Sequence, residues 1–151
     1  MIKIKFVDVP HEFDIENNFI TTIIDRNFGS HDAIEMPDFL FFSYCGTEHY
    51  KYDNCVKVFF ANEVVVPDFN QCDYAIGREE LNFGERYCQC NEIEVNEKLE
   101  SFIVRIIKKG NVPYEKDALG LAKKMSIPDL SSKELVERLI WKVKYHLRKK
   151  K

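Results

Sequence analysis

The sequence lacks several features that would place it in a class at once. No apolar run approaches the ~20 residues that a membrane-spanning helix requires. The formal net charge is −3, so the basic excess typical of nucleic-acid-binding domains is missing, and we expect no nucleic-acid partner. Neither an internal repeat nor a low-complexity segment is present. What remains is a chain of 151 residues, long enough for one ordinary globular domain and too short for two full α/β domains.

The cysteines follow neither a zinc nor a disulfide pattern. Their number, 5, is odd, and their spacing is irregular. Cys88 and Cys90 are separated by one residue, whereas zinc ribbons place two residues between their cysteines, so we expect no metal site. The chain from Met1 to Lys5 leads straight into a strand-like pattern instead of a signal peptide. We therefore expect a cytoplasmic protein whose thiols stay reduced.

Apolar runs predict a parallel sheet in the first part of the chain. Strands are expected over 2–7, 39–44, 56–60 and 74–77, and the last three runs are continuous rather than alternating. Continuous runs are typical of strands that are buried on both faces. A helix around 19–26, capped by Asn17 or Asn18, is expected after the first strand. The pattern predicts a Rossmann-like α/β domain over residues 1–90, in which several connections are too short for good helices.

Helix-forming residues dominate from position 91 onward, which predicts a helical extension over 91–151. The clearest helix runs from Glu97 to Lys109, with Gly110 as its stop, and further helices are expected over 115–125 and 133–147. The segment 138–151 is basic, amphipathic and aromatic, a pattern typical of a helix that lies on an anionic membrane surface. The alternative is a helix packed on the domain with a frayed lysine end. Peripheral contact with the inner face of a membrane is thus one expectation.

Three blocks of the sequence carry a resemblance to a known family. The run from Val56 to Gly77 and the following Glu85-Arg86-Tyr87 resemble a segment of the α-1,3-fucosyltransferases of glycosyltransferase family 10. The opening strand and first helix, and the block Pro37–Ser43 with Gly46, Glu48 and His49, are similar to the family's upstream blocks. The resemblance covers residues 1–87. It implies the N-terminal, acceptor-side half of a GT-B fold.

The resemblance also implies a reaction. Such enzymes transfer fucose from GDP-fucose to a hydroxyl of an N-acetylglucosamine or glucose unit in a glycan and invert the anomeric centre. No cofactor is implied, since GDP-fucose is the donor substrate. An inverting transfer needs a base that removes the proton of the attacking hydroxyl. In the family that role is proposed for the glutamate of a Gly-Glu-Asn motif, and Glu63 occupies its position here.

Acceptor contacts are expected from two further places. Asp8, His11 and Glu12 follow the first strand, where open α/β sheets place ligands, and the family's corresponding loop faces the acceptor. His49 lies in the second matched block, where it either contacts acceptor hydroxyls or is merely a solvated loop residue. Tyr74 and its neighbours in the best-matched run are expected to be structural.

The surroundings of Glu63 support a catalytic role and also qualify it. Its neighbours 59–61 and 64–66 are apolar, and apolar surroundings raise the pKa of a carboxyl group. The alternative is that Glu63 points to solvent from the end of a strand. Asn62 and Val64 replace the glycine and asparagine of the family motif. Asn tolerates a positive φ, whereas Val cannot supply the hydrogen bonds of the lost amide.

The tail departs from the family. Nothing in residues 88–151 resembles the family's donor domain, so we expect that the chain is not a competent fucosyltransferase alone. Two alternatives are a stand-alone glycan-binding subunit that partners a separate donor-domain chain, and an inactive remnant.

Overall fold

The structure, a computed structural model, describes residues 1–110, which form one compact unit of the chain. The predicted helices over 115–125 and 133–147 and the basic segment 138–151 lie outside the described residues. The described elements are, in chain order, β1 (Ile2–Val7), α1 (Phe19–Phe28), β2 (His31–Ala33), β3 (Phe39–Phe42), a 3₁₀ helix (Glu48–Lys51), β4 (Val56–Phe60), β5 (Tyr74–Gly77), a second 3₁₀ helix (Gly84–Arg86), β6 (Tyr87–Gln89) and α2 (Glu97–Lys109).

The six strands form one sheet in the order β2-β1-β3-β4-β5-β6, and each neighbouring pair is parallel. The predicted α/β class with a Rossmann-like parallel sheet is therefore confirmed. Strand β2 pairs with one edge of β1, and β3 pairs with the other edge of β1. The gap between β1 and β3 is a topological switch point, where doubly wound sheets open a crevice beyond the carboxyl ends of their strands.

The sheet is covered differently on its two faces. Helices α1 and α2 bury their apolar stripes against one face, which carries Phe41, Val58 and Ile76 among others. Loops cover the other face, where Phe69 packs with Leu40 and Phe59. Because both faces are covered, every residue of β3, β4 and β5 is buried. This burial explains why their sequences read as continuous apolar runs.

Local capping fixes the ends of both helices. Asn18, one of the two predicted caps, accepts the N–H groups of Ile20 and Thr21, and the Thr21 hydroxyl accepts the N–H of Asn18 in return. This reciprocal capping box starts α1. At α2 the Asn96 side chain is the cap and accepts the N–H of Leu99, and Gly110 ends the helix with a φ of 65°. The predicted bounds of α2 are confirmed.

The short outer strands β2 and β6 were not predicted. The edge strand β2 is only half-buried or exposed and contains His31 and Asp32, so its sequence shows no apolar pattern. Helix α2 packs against β6 and α1, and the compact unit therefore extends to Gly110, past the predicted domain boundary at residue 90. Among residues 1–110 there is no helix with the length and apolar character needed to cross a bilayer.

Candidate functional site

Asp8 closes the switch point between β1 and β3. It is the one residue other than glycine with a positive φ, 55°, in the described part of the chain. Its carboxylate accepts the backbone N–H groups of Glu48 at 3.0 Å and His49 at 2.9 Å, and its carbonyl accepts the N–H of Cys45 at 3.0 Å. Asp8 therefore caps the 3₁₀ helix Glu48–Lys51 and ties the end of β1 to the loop after β3.

The imidazole of His49 completes this connection. Its Nδ1 lies 2.6 Å from the Asp8 carboxylate, and its Nε2 lies 3.2 Å from Oε1 of Gln71. The ring stacks on Phe42 with a centroid separation of 4.3 Å, and the Tyr50 ring lies at the same centroid distance, tilted against it. These contacts hold the imidazole in one orientation, and His49 is buried rather than solvated.

The protonation of Asp8 reflects two opposing effects. Burial raises the pKa of its carboxyl group, but hydrogen bonds from the backbone and side chain of His49 and from the backbone of Glu48 outweigh it. The net result is a pKa below the ordinary value, because donated hydrogen bonds stabilise the charged form. Asp8 is therefore an anion that accepts a hydrogen bond from Nδ1–H of His49.

Gly46 makes room for this pair. A Cβ atom at position 46 would lie 2.5 Å from Oδ1 of Asp8, closer than two such atoms can approach. The sequence places Gly46 in the block that resembles the family, but the need for a glycine is visible only once the sheet brings positions 8 and 46 together.

A cleft of about 260 Å³ opens at the same edge of the sheet. Its walls come from the segments that follow β1, β3 and β4, together with the start of α1 and the segment before α2. The lining residues are Pro10, Glu12, Phe13, Phe19, Ser43, Tyr44, Phe60, Asn62, Glu63 and Ile93. This is the position that parallel α/β sheets use for ligands.

The floor of the cleft is aromatic and its rim is polar. Phe13 and Phe19 pack on Phe60 at centroid distances of 5.2 and 5.7 Å. Below the rim, the Ser43 hydroxyl donates to the carbonyl of Phe60 at 2.6 Å and so joins the carboxyl ends of β3 and β4. An apolar floor beside a few polar groups is the usual composition of a small-molecule site.

Three ionisable groups share the rim. The pKa of the Tyr44 hydroxyl is raised, first by loss of solvation and then by electrostatic interaction with Glu63, Cys45 and Glu12. Glu63 and Glu12 thus act electrostatically on the same phenol. The cleft can offer carboxylate acceptors to the hydroxyl groups of a ligand, and one of these carboxylates can accept a proton.

The Glu63 loop adopts the exposed one of its two expected arrangements, and Asn62 in this loop has a negative φ. Val64 and Val66 are 69% and 63% exposed, so they do not surround Glu63 with apolar groups, and Glu63 itself is exposed at the rim. Asn62 does not adopt a positive φ, so it does not replace a glycine turn in the way its residue type suggested. Its carbonyl instead accepts from Arg78 at 3.4 Å.

The structure thus divides the predicted site residues into two groups and leaves one outside both. Glu12 and Glu63 line the cleft together, whereas Asp8 and His49 form the buried pair. His11 is exposed and does not line the cleft. Direct acceptor contacts by Asp8, His11 and His49 stay predictions. Tyr44 and Ser43 were missed as site residues because they belong to a run that was predicted to be strand throughout, whereas β3 ends at Phe42.

Asp73, at the end of the best-matched run of the sequence, has a structural role, as expected. The Asp73 carboxylate is fully buried and accepts the N–H of Lys57 at 2.9 Å. Arg86 donates to the carbonyls of Phe69, Cys72 and Asp73. These bonds hold the turn before β5 in place. No group of three or more potential metal ligands occurs in the part of the chain that the structure describes.

The chain contains a parallel α/β domain with Glu12 and Glu63 in a cleft at the carboxyl edge of its sheet. A sequence comparison identifies the family. The family profile of the "Alpha-(1,3)-fucosyltransferase FucT N-terminal domain" matches residues 4–93. This match spans more than half of the chain, so the chain belongs to that family. A comparison with curated proteins gives no significant match.

Three similar solved structures are described as α1,3-fucosyltransferases. One, with GDP, is 27% identical with a TM-score of 0.44, and the matched part covers 59% of this chain and 26% of that chain. A second is 26% identical with a TM-score of 0.47, covering 59% and 28%. A third, with GDP-fucose, is 26% identical with a TM-score of 0.44, covering 59% and 26%. The present chain therefore spans about a quarter of the length of these proteins.

Proposed function

We propose that residues 1–110 are the acceptor side of an inverting α-1,3-fucosyltransferase of GT-B architecture. In this proposal the cleft binds an N-acetylglucosamine or glucose unit of a glycan. The observation that carries it is the position of Glu63, which shares the cleft at the carboxyl edge of the sheet with Glu12 and Tyr44 in a chain of the fucosyltransferase family.

Glu63 is the proposed general base. Its carboxylate accepts the proton of the acceptor hydroxyl while that oxygen attacks the anomeric carbon of fucose. The bond from this carbon to the phosphate oxygen breaks on the opposite face, GDP leaves, and the anomeric configuration is inverted. The exposure of Glu63 at the rim is consistent with this role, because the base must meet both the acceptor and a donor that approaches from outside the domain.

The remaining cleft residues position the sugar. Phe13, Phe19 and Phe60 offer an apolar floor on which one face of the ring packs, and Glu12 and Tyr44 offer hydrogen-bond partners for hydroxyl groups. Asp8 and His49 contribute indirectly, because they fix the loop that carries Tyr44. This arrangement predicts weak binding of an isolated acceptor, since few polar groups contact it.

The GDP-fucose site belongs to a second domain in this proposal, supplied by a separate chain or by further sequence. The described residues form a single sheet, and residues 111–151 are too few for a second α/β domain. Residues 1–151 alone are therefore expected to bind an acceptor glycan without transferring fucose.

The test measures binding and transfer separately. Residues 1–151 are titrated with N-acetyllactosamine and, separately, with GDP-fucose in a calorimeter, and both ligands are then combined in a transfer assay. We expect acceptor binding, no GDP-fucose binding and no product. Transfer by this polypeptide alone would contradict the assignment of the donor to another domain. Absence of binding to both ligands would contradict the acceptor role and favour an inactive remnant.

A matched pair of variants tests the base. When a donor domain is supplied, Glu63→Gln is expected to keep acceptor binding and to lower the transfer rate by about 10²–10⁴-fold, the usual contribution of a general base. Glu80→Gln makes the same change at an exposed position away from the cleft and is expected to leave the rate unchanged. Equal rates for the two variants would reject Glu63 as the base.

A further inference from the structure

Cys88 and Cys90 form a pair of thiols that the proposed transfer reaction does not use. Their sulfur atoms are 3.7 Å apart, and the two cysteines are 3% and 5% exposed. They lie side by side because residues two apart on an extended chain point to the same face. The ladder continues past β6, since the N–H of Cys90 donates to the carbonyl of Gly77 at 2.8 Å.

The two sulfurs differ in access. Cys88 belongs to the core between the sheet and the helices. Cys90 also packs there, but in addition it lines an open surface pocket of about 370 Å³. Asn96 and Lys98 line the same pocket, and the Lys98 ammonium donates to the carbonyl of Gln89 at 2.5 Å. A small reagent that enters this pocket would therefore contact Cys90 before Cys88.

The pair is also chemically asymmetric. The hydrogen bond from the Cys88 thiol lowers the pKa of Cys90 to about 7, against the opposing effect of burial and with help from the charge of Lys98 and a hydrogen bond from Asn96. The same hydrogen bond, together with burial, raises the pKa of Cys88. Cys90 is thus the thiolate and nucleophile of the pair, and Cys88 keeps its proton.

We propose that Cys88 and Cys90 are an oxidation site at which hydrogen peroxide converts the dithiol into a disulfide. The Cys90 thiolate attacks one oxygen of the peroxide, the O–O bond breaks, and a sulfenic acid and hydroxide form. The Cys88 sulfur then attacks the Cys90 sulfur, the S–OH bond breaks, and the released hydroxide takes the Cys88 proton to give water. Two thiols are oxidised, one peroxide is reduced, and two water molecules form in total. An external dithiol reverses the step by exchange.

Peptide mapping of the full chain tests the proposal without any variant. Trypsin cleaves after Arg86 and Lys98 and so releases both cysteines in one peptide, 87–98, while Cys45, Cys55 and Cys72 fall in the separate peptides 27–51, 52–57 and 58–78. After treatment of the folded chain with stoichiometric hydrogen peroxide, we expect peptide 87–98 to lose two hydrogen atoms and to regain them with dithiothreitol. Intact thiols in 87–98 beside an oxidised, exposed Cys45 would overturn the proposal.

Two variants assign the roles within the pair. Cys88→Ser removes the second thiol, so a sulfenic acid is expected to persist on Cys90 and to be trapped by dimedone. Cys90→Ser removes the nucleophile, and Cys88 is then expected to stay reduced at the same dose. Cys45→Ser is the control, in which the disulfide still forms at the wild-type rate. A dimedone adduct on Cys88 but none on Cys90 would reverse the assignment and overturn it. Because no sugar ligand is involved, the result is independent of the proposed transferase function.

Discussion

The carboxylate of Asp8 lies 2.6 Å from Nδ1 of His49, and these side chains are only 6% and 7% exposed. The pair joins the end of β1 to the loop that follows β3, directly behind the candidate acceptor cleft. It holds in place the loop that carries Tyr44, and it is distinct from the carboxylates that line the cleft. A change at Asp8 or His49 is therefore expected to affect both the stability of the domain and the shape of the cleft.

Removal of Asp8 is expected to destabilise the domain strongly. Asp8→Ala deletes the partner of His49 and the acceptor for two backbone N–H groups, so we expect a loss of about 3–5 kcal/mol in the free energy of unfolding. Asp8→Asn should lose less, because Asn tolerates a positive φ and keeps an oxygen acceptor. Urea denaturation measures both values.

Asp14→Ala is the control for this change. Asp14 also accepts backbone N–H groups, from Glu16 and Asn17, but it is exposed. We therefore expect a much smaller loss than at Asp8, as for other exposed turns and caps. Equal losses at positions 8 and 14 would show that the buried pair contributes nothing beyond its backbone hydrogen bonds.

The same carboxylate gives a pH dependence of stability with a defined sign. The pKa of Asp8 is lowered in the folded state, so its stabilising contribution is fully present above the unfolded value of about 3.9. It is lost as the pH falls through the folded pKa. The difference in unfolding free energy between the wild type and Asp8→Asn should therefore shrink as the pH falls below about 4. A difference that stays constant or grows below this pH would contradict the assigned charge.

Gly46→Ala should disturb the pair from the opposite side. The added Cβ would lie 2.5 Å from Oδ1 of Asp8, and we expect a loss of about 1–3 kcal/mol, as for other overpacked sites. In an Asp8→Ala background the carboxylate is gone, so the same substitution should cost much less. A double-mutant cycle measures this coupling. Additive effects would mean that the contact between the two positions is unimportant.

Arg86→Lys tests the turn before β5. The guanidinium donates to three carbonyls and lies 4.8 Å from the centre of the Phe69 ring, an arrangement that an ammonium group cannot reproduce. We expect a loss of about 2–4 kcal/mol in unfolding free energy, because buried carbonyls lose their donors. Lys3→Arg at an exposed position should be neutral. Thermal unfolding of both variants provides the comparison.

The elements that could be predicted from the sequence are those that a local pattern of residue types determines. The apolar runs of β3, β4 and β5 indicated buried strands, and Gly110 indicated the end of α2. The strands β2 and β6 could not be found, because three-residue strands carry too little pattern, and β2 is a polar edge.

The candidate site was only partly predictable for a different reason. Glu63 and Glu12 were selected by their position in a motif and after a strand, and the structure places both in one cleft. The contact of Asp8 with His49 joins residues 41 positions apart, and it depends on the order of strands, which the sequence does not define. The exposed valines beside Glu63 show that apolar residue types alone do not establish apolar surroundings.

Chemical-shift mapping tests most directly the claim that the cleft binds an acceptor sugar. Residues 1–151 labelled with ¹⁵N are titrated with N-acetyllactosamine, and the amide signals are followed. We expect the largest shifts around the cleft, at Glu12, Tyr44, Asn62 and Glu63, and no change in the signals of the surface pocket near Met36 and Asp53. Shifts confined to residues away from the cleft, or no shifts at millimolar glycan, would contradict it.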